Sequence, residues 1–186
     1  MNVHQIIVDS INEAVCNVFS TMVGGDLGPG TDSVALGAPE ASDGVVSFIG
    51  IAGRWAGTGS LSCSSGMACA ICSRLLMTET TAVNEEVLDA VAELTNMIIG
   101  GVKNDLERHV GSLGLSIPTV VFGRNFKTRS VGSTEWIVVR FPWNDQELAV
   151  KVSLAPSERV AQLAPHVPTH ACAMDVSKIL WSLLCR

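Results

Sequence analysis

The chain has no tyrosine, few aromatic residues of any kind (5%) and few charges (16%). The missing tyrosines carry no functional reading of their own. The thin charge does: 12 Lys and Arg stand against 18 Asp and Glu, for a net −6, and no basic block interrupts that balance. This argues against nucleic acid and anionic membrane surfaces as partners. No uninterrupted apolar run reaches the roughly 18 residues of a membrane span. The start, Met1-Asn-Val-His4, has no positive segment leading into an apolar one, so no signal peptide is expected. The six cysteines lie inside helical or strand patterns rather than at framework spacings, which predicts free thiols in a reducing, cytoplasmic setting. The glycines from Gly50 to Gly59 lack a following Lys-Ser/Thr, which excludes a phosphate loop. No Ser/His/Asp set is readable.

What is present is ample apolar material, 47% of the chain, enough for the core of one domain or a tight pair of half-domains. A first amphipathic helix is expected over 5–23, with Ile7, Ile11, Ala14, Val18 and Met22 as its apolar stripe. Val45–Gly50 and Gly59–Cys63 read as strands, with Gly53 and Gly57 marking a hairpin between them. A helix over 66–78 puts Cys69, Cys72, Leu75 and Leu76 on its apolar side, and Ser64-Ser65-Gly66 reads as its start. A long central helix follows over 84–108, with Asn84 as cap and Glu85 and Glu86 in the first turn. A loop through Gly111 and Gly114 leads to Leu115-Ser-Ile-Pro118 and a strand over Thr119–Gly123. Glu135–Pro142 and Glu147–Leu154 read as a hairpin turning at Trp143-Asn-Asp145. Trp136 and Trp143 are then sheet residues. From Pro156 the prolines break up two short helical patterns, 157–164 and 175–184. The second would pack through Val176, Ile179, Leu180 and Leu183. The expected organisation is one domain over 1–155 and a C-terminal helical extension over 156–186.

The central helix holds the most informative stretch, Asp89 to Gly100. Val87, Val91, Leu94, Ile98 and Val102 recur at helical spacing. On the opposite face Asp89, Glu93, Asn96 and Gly100 form a narrow polar row. A solvated outer face would explain such a row. The glycines fit that reading poorly, because a glycine inside a helix costs roughly 1 kcal/mol against alanine. On an exposed face it also lets another molecule's backbone come close.

The row has a partial copy. Shifted by 80 residues, Asp9 falls on Asp89, Glu13 on Glu93 and Cys16 on Asn96. Downstream, Leu36-Gly-Ala-Pro39 is similar to Leu115-Ser-Ile-Pro118, with 22 residues between Cys16 and Pro39 and 21 between Asn96 and Pro118. The expected fold is therefore mixed α/β (α+β): duplicated helix–loop–strand half-domains, about 5–80 and 84–154, sharing a β-sheet flanked by two long pseudo-equivalent helices.

The pattern Asp/Ser-x3-Glu-x2-Asn followed about 22 residues later by Pro resembles the signature of the CheC/CheX/FliY chemotaxis phosphatases. Asp89, Glu93, Asn96 and Pro118 match it, with one residue fewer before the proline. The opening helix, Glu13 to Met22, and the hairpin Ser47-Phe-Ile-Gly50…Gly57-Thr-Gly-Ser-Leu61 are also similar to that family. The resemblance covers about residues 3–154 and is closest to CheX. It implies duplicated α/β halves, a homodimer, and removal of the aspartyl phosphate from a CheY-type response regulator. It also implies no cofactor of the chain's own, with Mg2+ carried by the partner regulator. Asn96 would then be the residue that holds a water, and Glu93 the one that pairs with a lysine of the regulator. Asp89, Gly100 and Pro118 would shape the site. Asp9, Glu13 and Cys16 would be a vestigial second site, since a thiol is a poor donor and acceptor beside a carboxamide. Asn17 is adjacent but rotated by one residue.

The chemistry suits these residue types. An acyl phosphate is already activated, so the task is to hold one water in line with the phosphorus. A neutral carboxamide both donates to and accepts from water without adding charge beside a phosphoryl group. The rival reading is a non-catalytic binding module for a response regulator or flagellar switch component. A third would use Cys63, Cys69 and Cys72, or His166, His170 and Cys172, as thiol or metal sites. Core packing accounts better for the first set and a polar linker for the second.

Overall fold

The computed structural model describes residues 3–25, 27–36, 43–124, 126 and 135–157. Helix α1 (Val3–Val18) opens the chain and continues into one π-helical turn, Phe19–Val23. Strand β1 (Thr31–Leu36), the hairpin β2 (Asp43–Gly53) and β3 (Trp55–Cys63), and helix α2 (Ser65–Leu76) complete the first half. The second half is α3 (Glu85–Val110), β4 (Leu113–Leu115), β5 (Thr119–Arg124) and the hairpin of β6 (Glu135–Trp143) and β7 (Gln146–Pro156). A helix, a strand and a hairpin thus occur twice on one sheet, as the sequence predicts.

The antiparallel sheet runs β1-β6-β7-β3-β2, and the outer edge of β2 is shared between β4 and β5. The halves exchange strands at the edges. β1 of the first half pairs with β6 of the second, Thr31 opposite Arg140. β5 of the second half pairs with β2 of the first, Thr119 opposite Phe48. At the centre β3 and β7 pair with each other, from Trp55 opposite Pro156 to Ser62 opposite Ala149.

α1 and α3 bury their apolar stripes on one face of this sheet. α3 contributes Val87, Val91, Leu94, Ile98, Ile99, Val102 and Leu106. Ile7, Ile11, Val15 and Val18 come from α1, and both sets meet Leu61, Val139, Phe141, Val150 and Val152 of the sheet. By length and composition Val3–Val23 would suit a membrane span, but its apolar side is the one placed in this core. Two glycines set how closely the layers approach. Ile99 lies directly on Gly59, where a Cβ would stand 2.9 Å from it, and Gly101 faces Ala14 at 3.0 Å. Either position would be overpacked by a side chain.

The helix ends follow the sequence. Asn84 caps α3 by accepting from the Val87 N–H at 3.0 Å, and Ser64 caps α2 by accepting from Met67 N–H at 3.1 Å. Glu107 closes α3 onto β4. Its carboxylate accepts from Leu113 N–H at 2.8 Å and pairs with Lys103 at 2.8 Å. These contacts, the backbone N–H first, hold its carboxyl below the usual range.

The structure corrects three expectations. Gly57 is not in the hairpin turn: it lies inside β3 opposite Ile51 and Leu154, and a Cβ there would collide with the Ser153 carbonyl oxygen. Strands β1 and β4 stand where the sequence carries no strand signal, because β1 is an almost wholly exposed edge and β4 is only three residues long. Leu36 is not the counterpart of Leu115. Leu36 ends β1, whereas Leu115 ends β4 and Pro118 comes just before β5. β1 and β5 hold corresponding places, each pairing with the first strand of the other half's hairpin, β6 and β2. Pro39 and residues 158–186, with Val176, Ile179, Leu180, Leu183 and the His166, His170 and Cys172 set, lie outside the described residues.

Candidate functional site

α3 presents the polar row intact. Asp89, Glu93 and Asn96 are exposed, while Val91, Leu94 and Ile98 on the other side of the helix are fully buried. The row exists because the apolar residues dictate which side faces the sheet. Gly100 ends it and differs from its neighbour Gly101. Among the described residues a Cβ at Gly100 would meet nothing within 4 Å, whereas one at Gly101 would press on Ala14. Gly101 is thus explained by the approach of α1. No contact from the described residues offsets the helix-propensity cost of Gly100, and they leave the space above it open.

Pro118 reaches the same side of the molecule through the sheet. Continuing the β2–β5 register one step past Phe48 and Thr119 sets Pro118 beside Ile49, in the row of Gly59. Gly59 is the residue that Ile99 covers, three positions after Asn96 and one before Gly100. The segment leading to Pro118 is fixed to β2. Ser116 N–H donates to the Gly50 carbonyl at 2.9 Å, Gly50 N–H donates to Ser116 Oγ at 2.8 Å, and that hydroxyl donates to Ile117 O at 2.9 Å.

Asp9, Glu13 and Cys16 are also exposed, on α1. Asp9 accepts from the Gln5 side-chain amide at 2.9 Å. Asn17 is exposed, and its backbone carbonyl accepts from the hydroxyls of Ser20 (3.1 Å) and Thr21 (2.7 Å) where α1 passes into the π-helical turn. The two polar rows are therefore on separate helices, and only α3 combines a carboxylate, a carboxamide and an open glycine.

One feature beside the row has no counterpart in the sequence-based reading. Met22, Leu75, Leu76, Ala90 and Met97, with Glu86, Asp89 and Glu93, line a cavity of about 430 Å³ between α2 and α3. Met22 and Leu76 belong to the apolar stripes expected of their helices, yet they are 51% and 50% exposed. Leu75 and Leu76 lie about 100° apart on the helix, and Leu76, the last residue of α2, falls past the edge of its buried stripe. Met22 is carried by the π-helical turn, closed by Gly24 N–H donating to Phe19 O at 2.6 Å, which breaks the α-helical spacing that would have buried it.

The thiols are elsewhere. Cys63, Cys69 and Cys72 are buried and free, and burial pushes Cys63 up to about 12 and raises Cys69. Among the described residues no group of three His, Cys, Asp or Glu side chains is placed to hold a metal ion.

The fold and the row can be set beside known proteins. A CheC-like superfamily protein from Shewanella sp. PV-4 is similar at 25% identity and a TM-score of 0.71, over 83% of this chain and 99% of that one. The chemotaxis protein CheX of Vibrio vulnificus is similar at 26% identity and 0.66, over 80% and 96%. A CheX from Borrelia burgdorferi, solved as a complex with CheY, BeF3 and Mg2+, shares the fold at 18% identity and 0.64, over 81% and 96%. No curated protein matches the chain. Residues 45–142 match the family described as chemotaxis phosphatase CheX, a span that runs from β2 through the whole of α3, with Asp89, Glu93 and Asn96, into β6. That is more than half of the chain, and it makes this protein a member of the CheX family.

Proposed function

We propose that this protein hydrolyses the aspartyl phosphate of a CheY-type receiver in chemotaxis or related two-component signalling. The observation that carries the reading is Glu93 and Asn96 exposed together on α3, next to a glycine whose Cα is open to a partner. Asn96 holds a water in line with the phosphorus, its side-chain oxygen accepting a hydrogen bond from the water and its NH2 donating one to the water oxygen. The water oxygen bonds to phosphorus, the bond from phosphorus to the aspartyl oxygen breaks, and inorganic phosphate and a free carboxylate leave. Glu93, one turn earlier, grips a basic group of the receiver, and Gly100 admits its backbone. Asp89 and Pro118 shape the surroundings. Mg2+ belongs to the receiver, where it neutralises charge on the phosphoryl oxygens. The Borrelia protein's capture with CheY, BeF3 and Mg2+ supports this choice of partner, beryllofluoride being a stand-in for a phosphoryl group. The chain works in the cytoplasm as a homodimer in this reading.

The test is loss of phosphate from a phosphorylated CheY-type receiver of the same genome, with and without the protein. Wild type accelerates it. Asn96→Ala removes about two orders of magnitude of the acceleration but still binds the receiver, while Glu93→Ala weakens both. An Asn96→Ala protein as active as wild type would end the water-positioning role.

A further inference from the structure

We propose that the groove between α2 and α3 seats a large apolar side chain of the receiver, flanked there by a basic one, and that this seat sets the receiver's position over Asn96. The proposal rests on the phosphatase reading and adds a surface to it. Single exposed apolar residues need no explanation, but Met22, Leu75, Leu76 and Met97 converge on one cavity of about 430 Å³. A concave apolar surface of that kind marks a binding site. Met77, next along the chain, is 94% exposed, at the end of α2 in a left-handed conformation, φ 53°.

The two walls differ in chemistry, and the difference names the occupant. One wall is Met22, Leu75 and Leu76. The other carries Glu86, Asp89 and Glu93, one helical turn apart on α3. Among the described residues no cation lines the groove. Arg74, the nearest candidate on α2, points to the other side, its guanidinium 5.0 Å from the Trp143 ring and donating to Val23 O at 3.4 Å. An apolar group with a lysine or arginine beside it satisfies both walls, and an acidic or purely polar segment satisfies neither. The groove is also held open. Arg74 ties the π-helical turn that carries Met22 to α2, and Phe19 packs edge-on against Trp143 at 5.9 Å. Because Glu93 belongs to both the groove and the polar row, a side chain seated in the groove fixes the receiver one turn from Asn96.

The experiment is calorimetric titration of a CheY-type receiver of the same genome, held active by BeF3 and Mg2+, into the full chain and its variants. Leu76→Glu and Met22→Glu are expected to raise Kd about 10-fold or more. Glu86→Lys raises it and flattens its dependence on salt. Leu36→Glu, on the far β1 edge where Leu36 is 82% exposed, leaves it unchanged. Thermal melts check that each variant is folded. If Leu76→Glu and Met22→Glu bind as tightly as wild type while Asn96→Ala still loses phosphatase activity, the groove proposal falls and the phosphatase reading stands. If they bind as tightly but change the sedimentation of the free protein, the groove belongs to a second copy of this chain and the proposal is likewise overturned. A wild-type protein that binds none of the genome's CheY-type receivers overturns both.

Discussion

At the scale of single residues, Gly100 and Lys151 each do something the local fold does not need. Gly100 has open space above it, so alanine fits and improves helix propensity. Gly100→Ala is expected to raise unfolding stability by about 1 kcal/mol in a denaturant melt and to weaken receiver binding, because a methyl group then stands where the partner's backbone approaches. A variant that is more stable and binds equally well would return Gly100 to a neutral surface role. Lys151 lies on the sheet face opposite the helices, in the row of Ser33, Val138, Ser60 and Phe48, and is 5% exposed. Burial, then the charge of Arg140, lowers its pKa to about 8, against the smaller opposing effect of Glu147. The unfolded chain holds that proton up to about pH 10.5 and the folded chain only to about 8. Protonation therefore favours unfolding, and this residue's cost is fully present below pH 8 and disappears as pH rises to 10.5. Lys151→Met should raise Tm at pH 7, by an amount that shrinks towards pH 10.5. With no tyrosine in the chain, phenol titration does not obscure that window. A constant difference across the range would reject the buried charge as its cause.

At the scale of elements, α3 was the most legible and the edge strands the least. Its apolar recurrence, its Asn84 cap and its acidic first turn all state the same helix, and the apolar side dictates which residues form the exposed row. β1 is almost wholly exposed and β4 is three residues long, so neither has a buried face to impose alternation. They are strands because β6 and β2 offer edges to pair with, and that information lies far away in the chain. The groove was illegible for a related reason: its walls come from three elements, and a π-helical turn turns Met22 outward against its sequence spacing. The contact of α3 with the sheet is testable at Gly59, beneath Ile99. Gly59→Val forces Ile99 to move and should destabilise the fold by about 1–3 kcal/mol, seen as a lower denaturation midpoint with unchanged slope. Unchanged stability would mean that α3 can slide on the sheet.

At the scale of the whole molecule, the duplication is a pseudo-symmetry of strands more than of motifs. The 80-residue shift aligns Asp9 and Glu13 with Asp89 and Glu93, but the same shift fails by the first strands, because α3 is longer than α1 and β4 is added after it. This is why Leu36 and Leu115 look alike in the sequence and yet end different strands, β1 and β4. The consequence is functional. On the 80-residue shift Ser20 stands where Gly100 stands, but it lies in the π-helical turn, where the spacing of α1 no longer holds. The cavity that accompanies the α3 row draws its far wall from α2 and Met22, elements placed beside α3. A carboxamide at position 16 would therefore sit next to Asp9 and Glu13 without a glycine in line and without that groove. Cys16→Asn introduced into the Asn96→Ala protein should leave phosphate release at the Asn96→Ala rate, although the three side chains would then match the α3 motif. Recovery of even a tenth of the wild-type acceleration would show that motif residues on any exposed helix suffice, and that the glycine and the groove do not select the working half.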